Sequence, residues 1–257
     1  MVPVRSLQAR LLPAGPLDAL RQVLLIASGY YAYRLTRGFV DDPTSAVVAF
    51  EHARQLISIE RALGIFVEPR IQDFAGSIPG LDDICAWIYL NAQTTVTLAA
   101  LVWLYLRHNS SFYFVRNMFM VAWGLAIVAY IVYPTAPPRF LPEWGFTDTV
   151  ADFTGVDHDS VVVNALFNPY AAVPSMHIGF ALMVGIPLAR LSAVRVTRIA
   201  WMLYPLLVTF VIVATANHFL ADALLGALTV AAAAWAAAWL GRVRPTAWAF
   251  SQARSAA

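Results

Sequence analysis

Apolar residues in this chain do not alternate with polar ones. They run in long blocks separated by short polar or proline-rich breaks. Crossing about 30 Å of hydrocarbon takes roughly 17–25 helical residues. Residues 84–106, 112–133, 173–191, 199–216 and 219–240 form blocks of that kind. A sixth block, 20–35, is shorter, but Arg21, Arg34 and Arg37 at its flanks can reach outward to water and let it span. In residues 41–83, apolar positions recur at helical spacing among Glu51, His52, Arg54, Glu60 and Arg61. That spacing predicts an amphipathic helix on the membrane surface or capping a bundle. Residues 134–170 are rich in Pro, Asp and Gly and read as a long loop, of the sort that is commonly functional. The expected fold is all-α: a polytopic membrane bundle of six transmembrane helices plus an amphipathic interfacial helix, in one integral-membrane domain over residues 1–257.

Composition sharpens this picture. The chain is 60% hydrophobic and 12% charged, against about one half and one quarter in soluble domains. A soluble enzyme and a nucleic-acid module are excluded, and a net charge of +2 gives no reason to expect a polyanion partner. The lone Cys85 rules out a disulfide framework and reads as a small apolar residue in a membrane helix. All 17 basic residues are arginine. With six spans and a cytoplasmic amino terminus, eleven arginines fall on the cytoplasmic side, from Arg5 and Arg10 to Arg254. Asp18 is the one acid that joins them. The positive-inside rule thus predicts a multi-pass cell-membrane protein with both termini cytoplasmic.

Ionisable residues at the ends of membrane helices are costly and point to function. His177, His218 and Asp222 are such residues, and all three fall on the extracytoplasmic side in this topology, as does Arg139 of the long loop. Asp222 follows His218 by four residues and shares its helix face. A carboxylate there can take the proton on one imidazole nitrogen and leave the other free as nucleophile, base or metal ligand. In Val173-Pro174-Ser175-Met176-His177, Pro174 suits a first helical turn. The first-turn N–H groups and the Ser175 hydroxyl then make an anion site within reach of His177. In the stiff run Tyr133-Pro134-Thr135-Ala136-Pro137-Pro138-Arg139-Phe140, the guanidinium can bind phosphate oxygens as a planar fork. Together these groups meet the needs of phosphoryl transfer: a nucleophile, an acid for the leaving group and positive donors.

The motifs YPTAPPRF at 133–140, NPYAAVPSMHIGFAL at 168–182 and ATANHFLADALLGAL at 214–228 resemble those of the phosphatidic acid phosphatase type 2 superfamily. With ERALGIFVEPRIQ at 60–72, they look most like its branch of inositol phosphorylceramide synthases and bacterial relatives. The resemblance implies that His218 attacks phosphorus and forms a phosphohistidine, that Asp222 orients it, and that His177 protonates the leaving group. It implies phosphate binding by Arg139 and Ser175, and no metal or other cofactor. Several positions depart from the superfamily pattern. Val132 stands where a lysine is usual and Met176 where the motif has glycine. The usual Ser-Arg pair falls at Val211 and Ile212, so one phosphate-binding arginine is missing, and Asn217 is the neutral donor at hand. The expected partners are a phospholipid or other lipid phosphate, the membrane, and inositol or a lipid alcohol as acceptor.

Other classes remain on the sequence alone. A transporter or lipid-binding protein would use His218 and Asp222 as a structural pair, but sparse intramembrane charge and the lack of paired broken helices count against transport. An intramembrane protease built on Ser175 and His218 lacks a strained glycine-rich nucleophile setting. A zinc site of His177, His218 and Asp222 has suitable ligand types. Glu51, His52 and Glu60 could bind a polyol, although a solvated surface helix explains them as well.

Overall fold

The computed structural model describes residues 12–38, 43–156 and 170–245, without the side chains of 34–38 and 43–45. Arg5, Arg10 and Arg254 of the charge count, the side chains of Arg34 and Arg37, Asp41, Asp42 and residues 157–169 of the long loop, Asn168 among them, therefore lie outside the described part, as do both termini.

The described residues form nine α-helices: α1 (Pro16–Gly38), α2 (Pro43–Ala62), α3 (Glu68–Ser77), α4 (Leu81–Arg107), α5 (Asn109–Val132), α6 (Thr149–Thr154), α7 (Met176–Leu191), α8 (Arg195–Ala214) and α9 (Leu220–Val243). No strand occurs among them beyond one isolated bridge between Thr135 and Ala171. The fold is all-α. Helices α4, α5, α8 and α9 are long and apolar enough to cross a membrane. Helix α7 is apolar but has only 16 residues, about 24 Å at 1.5 Å per residue. Helix α1 has 23 residues and is longer than its predicted block, yet it carries Asp18, Gln22 and Arg21 and falls short in apolarity. Four of the six predicted spans thus meet both criteria.

Helix α7 is the centre of the bundle and packs on α4, α5, α8 and α9. Its Gly185 lets α8 come close, since a Cβ there would lie 2.8 Å from the Trp201 carbonyl oxygen. The core between α5 and α7 is aromatic, with Phe119 and Phe180 edge to face at 5.1 Å. The outer faces carry large exposed apolar side chains such as Val102, Leu206, Leu228 and Trp235, which suits contact with lipid.

At one end of the bundle, helices α1, α4 and α5 are tied by buried polar groups. Asp18 accepts hydrogen bonds from Gln22 (3.0 Å), Tyr105 (3.0 Å) and Tyr113 (2.7 Å). Arg116 donates to Gln22 (2.6 Å) and Asn117 (3.0 Å). The amphipathic segment becomes two helices joined through a turn at Gly64, whose φ of 71° favours glycine. Helix α2 buries Ala49, Ala53, Leu56, Ile57 and Glu60, one face at helical spacing, against Ala136, Leu141, Phe146 and Phe219. Helix α3 packs on α4 and α8. The long loop is partly ordered into two 3-10 turns, Pro138–Phe140 and Pro142–Trp144, and into α6, whose first turn is capped by Asp148 accepting the Ala151 N–H at 3.0 Å.

Candidate active site

Main-chain hydrogen bonds stitch the three motifs together pairwise. Thr135 donates to the Tyr170 carbonyl (2.7 Å), joining the first to the second. Arg139 donates to the Ala216 carbonyl (2.8 Å), joining the first to the third. Ser175 donates to the Asp222 carbonyl (3.0 Å), joining the second to the third. The last stitch needs Gly226, one turn along α9, because a Cβ at that position would stand 2.3 Å from the Ser175 carbonyl oxygen. On the far side, the Tyr130 hydroxyl donates to the Pro174 carbonyl at 3.1 Å.

The turn between α8 and α9 aims the next residues. The Asn217 N–H reaches back to Ile212 (3.0 Å) and the Ala216 N–H to Val213 (2.9 Å), a pattern that ends a helix with one left-handed residue. Here that residue is Ala216, with φ of 51°, where glycine would avoid a cost of roughly 1–2 kcal/mol. His218 follows two residues later and is 5% exposed.

His218 Nδ1 lies 3.2 Å from Asp222 Oδ2, and its Nε2 lies 3.3 Å from His177 Nδ1. The same Asp222 oxygen accepts the Phe219 N–H at 2.9 Å, which holds the carboxylate against the start of α9. His177 is the second residue of α7, and its ring stacks on Tyr89 of α4 at 4.5 Å. Three predicted residues thus form one chain, His177 to His218 to Asp222.

The remaining predicted residues surround it. Ser175 is the N-cap of α7, but its hydroxyl makes no capping bond. It is fully buried and has no hydrogen-bond partner among the described residues. Pro174 stands before that N-cap, outside the first turn where the sequence reading put it, because the Ser175 N–H is committed to Asp222 and the helix starts at Met176. Arg139 donates to the Asn217 amide oxygen, and its Nε lies 3.5 Å from Asp148 Oδ2. The Asn217 amide nitrogen is spent on Thr215, at 2.9 Å to both its carbonyl and its hydroxyl. Asn217 therefore holds Arg139 in place and, in this arrangement, has no amide donor left to offer an anion.

Several contributors were not visible in the motifs. Tyr89 backs His177, and Asp148 partners Arg139; neither carries a spacing signal. Glu60 and Glu68 are 1% and 0% exposed, so the solvated-face reading of Glu60 is corrected. Each is drawn inward by a main-chain donor at the start of α9. Glu68 accepts the Leu220 N–H (2.9 Å) and Glu60 the Ala221 N–H (2.7 Å). Burial, with Glu68 beside it, pushes the Glu60 carboxyl up to about 8. Glu51 stays exposed, while His52 is half-buried, stacks on Tyr133 at 3.8 Å and bonds the Pro134 carbonyl at 2.7 Å.

A family model described as PAP2 superfamily matches residues 54–237, a range that holds all three motifs and the Glu60 to Gln72 segment. No curated protein and no solved structure gives a significant match.

Proposed function

The chain belongs to the PAP2 superfamily, and from that premise we propose that it is an integral-membrane phosphatase or phosphotransferase of lipid phosphates, working through a phosphohistidine at the extracytoplasmic face. The observation that carries this reading is the chain His177–His218–Asp222, at 3.3 and 3.2 Å. Asp222 accepts a hydrogen bond from the Nδ1–H of His218 and so leaves Nε2 with its lone pair. A phosphoryl group entering between the rings replaces His177 on that nitrogen. The Nε2–P bond forms while the P–O bond to the leaving group breaks, and His177 gives its proton to the departing oxygen. In the second half, the acceptor hydroxyl gives its proton to His177 as its oxygen binds phosphorus and the N–P bond breaks. Arg139, held by Asn217 and Asp148, and the Ser175 hydroxyl stabilise the phosphoryl oxygens. No metal takes part in this scheme.

The topology that accompanies it has six spans, with α1 and the short α7 completing the four longer helices and both termini in the cytoplasm. Packing of α1 on α5 and of α7 in the bundle centre supports that count. Helix α2 then lies at the outer interface over the site. The departures at Val132, Met176, Val211 and Ile212 favour the inositolphosphotransferase-like branch, with a phosphoinositol lipid as donor and a lipid alcohol as acceptor.

The test is a purified-protein assay on labelled lipid phosphates and phosphatidylinositol, with and without diacylglycerol, ceramide or inositol. Turnover in wild type, an alkali-stable and acid-labile label on the protein, and loss of both in His218→Ala are expected. Turnover by folded His218→Ala removes the nucleophile assignment. Free phosphate alone identifies a phosphatase, and a new phosphoinositol lipid formed only with an acceptor identifies a transferase.

A further inference from the structure

The N-terminus of α9 carries His218 just before it and Asp222 in its first turn, so the placement of that helix end sets the geometry of both. A helix start leaves its first N–H groups without internal acceptors, and here the N-cap is Phe219, which offers no side-chain oxygen. Three carboxyl groups from three helices fill the gap, one on each successive N–H. Asp222 takes Phe219, Glu68 of α3 takes Leu220, and Glu60 of α2 takes Ala221. All three are buried, and each keeps one oxygen with no hydrogen-bond partner among the described residues. Acidic groups suit the positive end of a helix dipole, but three adjoining buried carboxylates cannot all be ionised.

We propose that Glu60 and Glu68 are positioning residues for the His218–Asp222 pair, sharing a proton between them so that they cap α9 as two acceptors with a single negative charge. The proposal rests on the reading of His218 as nucleophile for its kinetic readout, though not for its thermal one. It assigns a purpose to the Glu60–Gln72 segment, whose two carboxyl groups bond the main chain at the start of α9. Helices α2 and α3 become the clamp that fixes the nucleophile's helix from outside the bundle. The titratable groups that face Glu60 are Glu68 from α3 and Asp222 from α9, with His218 beyond Asp222. Burial first, and Glu68 second, hold the Glu60 proton up to about 8.

The sign follows. Between the ordinary carboxylate range and that value, the folded chain holds a proton that the unfolded chain has released. The stabilisation is full in acid and is lost as pH rises through about 8. Ionising the pair then places two charges side by side and loosens the start of α9. Glu60→Gln keeps an oxygen for Ala221 and a donor toward Glu68, and it cannot ionise.

The experiment measures thermal unfolding and kcat from pH 6 to about 9.5 for wild type, Glu60→Gln and Glu60→Leu in detergent. Wild-type Tm should fall as pH rises from 6 and level off above about 8, kcat should fall across about 8, and Glu60→Gln should remove both changes. Below the step, Glu60→Gln should rescue kcat to within about threefold of wild type. Glu60→Leu, if folded, should lose kcat by about a hundredfold with KM little changed, as a misplaced nucleophile does. A step that persists in Glu60→Gln overturns the shared proton, and near-normal kcat in folded Glu60→Leu overturns the positioning role. The unfolding curves need no substrate. A wild type that shows the Tm step but no turnover on any lipid phosphate leaves the carboxyl pair standing and sinks the proposed activity. A flat wild-type Tm curve sinks the pair whatever the activity.

Discussion

Two buried polar clusters sit toward opposite ends of helix α5, one at Arg116 and one beyond Tyr130, about 21 Å further along its axis at 1.5 Å per residue, and they are built on different terms. At the Arg116 end, Asp18, Gln22, Tyr105, Tyr113, Arg116 and Asn117 leave no buried side-chain nitrogen or oxygen without a partner. At the other end, Ser175, Glu60, Glu68 and Asp222 each keep a buried oxygen with no partner among the described residues. A closed network rigidifies a bundle and asks for nothing more. A buried group left short costs stability, which a fold tolerates where a ligand or a proton completes it. The contrast separates architecture from chemistry without reference to any motif.

That comparison can be broken in order of effect. Asp222→Asn leaves at best a neutral oxygen where Oδ2 now serves both the Phe219 N–H and His218 Nδ1, so the imidazole loses the charge that holds its Nδ1 proton. Its turnover should fall by about 10³–10⁴-fold, with Tm near wild type, measured by phosphate or phospholipid release. Arg116→Leu should do the reverse. Leaving Gln22 and Asn117 without their donor should cost roughly 1–3 kcal/mol each in denaturant or thermal unfolding, while kcat per folded molecule stays unchanged. Loss of kcat without loss of stability would place the Arg116 cluster in the chemistry. Ser175→Ala has the smallest stability effect. Deleting a hydroxyl that has no partner should leave stability within about 1 kcal/mol, or raise it. The KM for a lipid phosphate should rise by roughly tenfold through loss of one hydrogen bond to a charged oxygen. An unfolded Ser175→Ala would show that the hydroxyl already serves the fold.

Hydropathy read the long helices well because lipid-facing residues repeat a single demand at every turn. It undersized α1, whose Asp18 and Gln22 count as polar along the chain but are satisfied partners in space. The His177, His218 and Asp222 grouping was legible because i,i+4 spacing and intramembrane charge both carry meaning in one dimension. Glu60 and Glu68 were not, since periodicity names the buried face of α2 and says nothing of a main-chain donor 161 residues away at Ala221. Pro174 falls just ahead of the N-cap and not in the first turn for the same kind of reason. The start of α7 is set by a bond to Asp222, a partner that local preference cannot see. Gly226 stands inside the third motif, but the reason for it is spatial, the close approach of Ser175.

The three main-chain stitches, Thr135 to Tyr170, Arg139 to Ala216 and Ser175 to Asp222, use atoms that every amino acid supplies. The relative placement of the loops is thus largely decoupled from the identity of their side chains. Positions whose side chains do not fill the core can change under selection for one lipid or another while the reacting groups stay in register. A scaffold of that kind is easy to retarget, by evolution or by a library confined to those positions, because its geometry is inherited through the backbone.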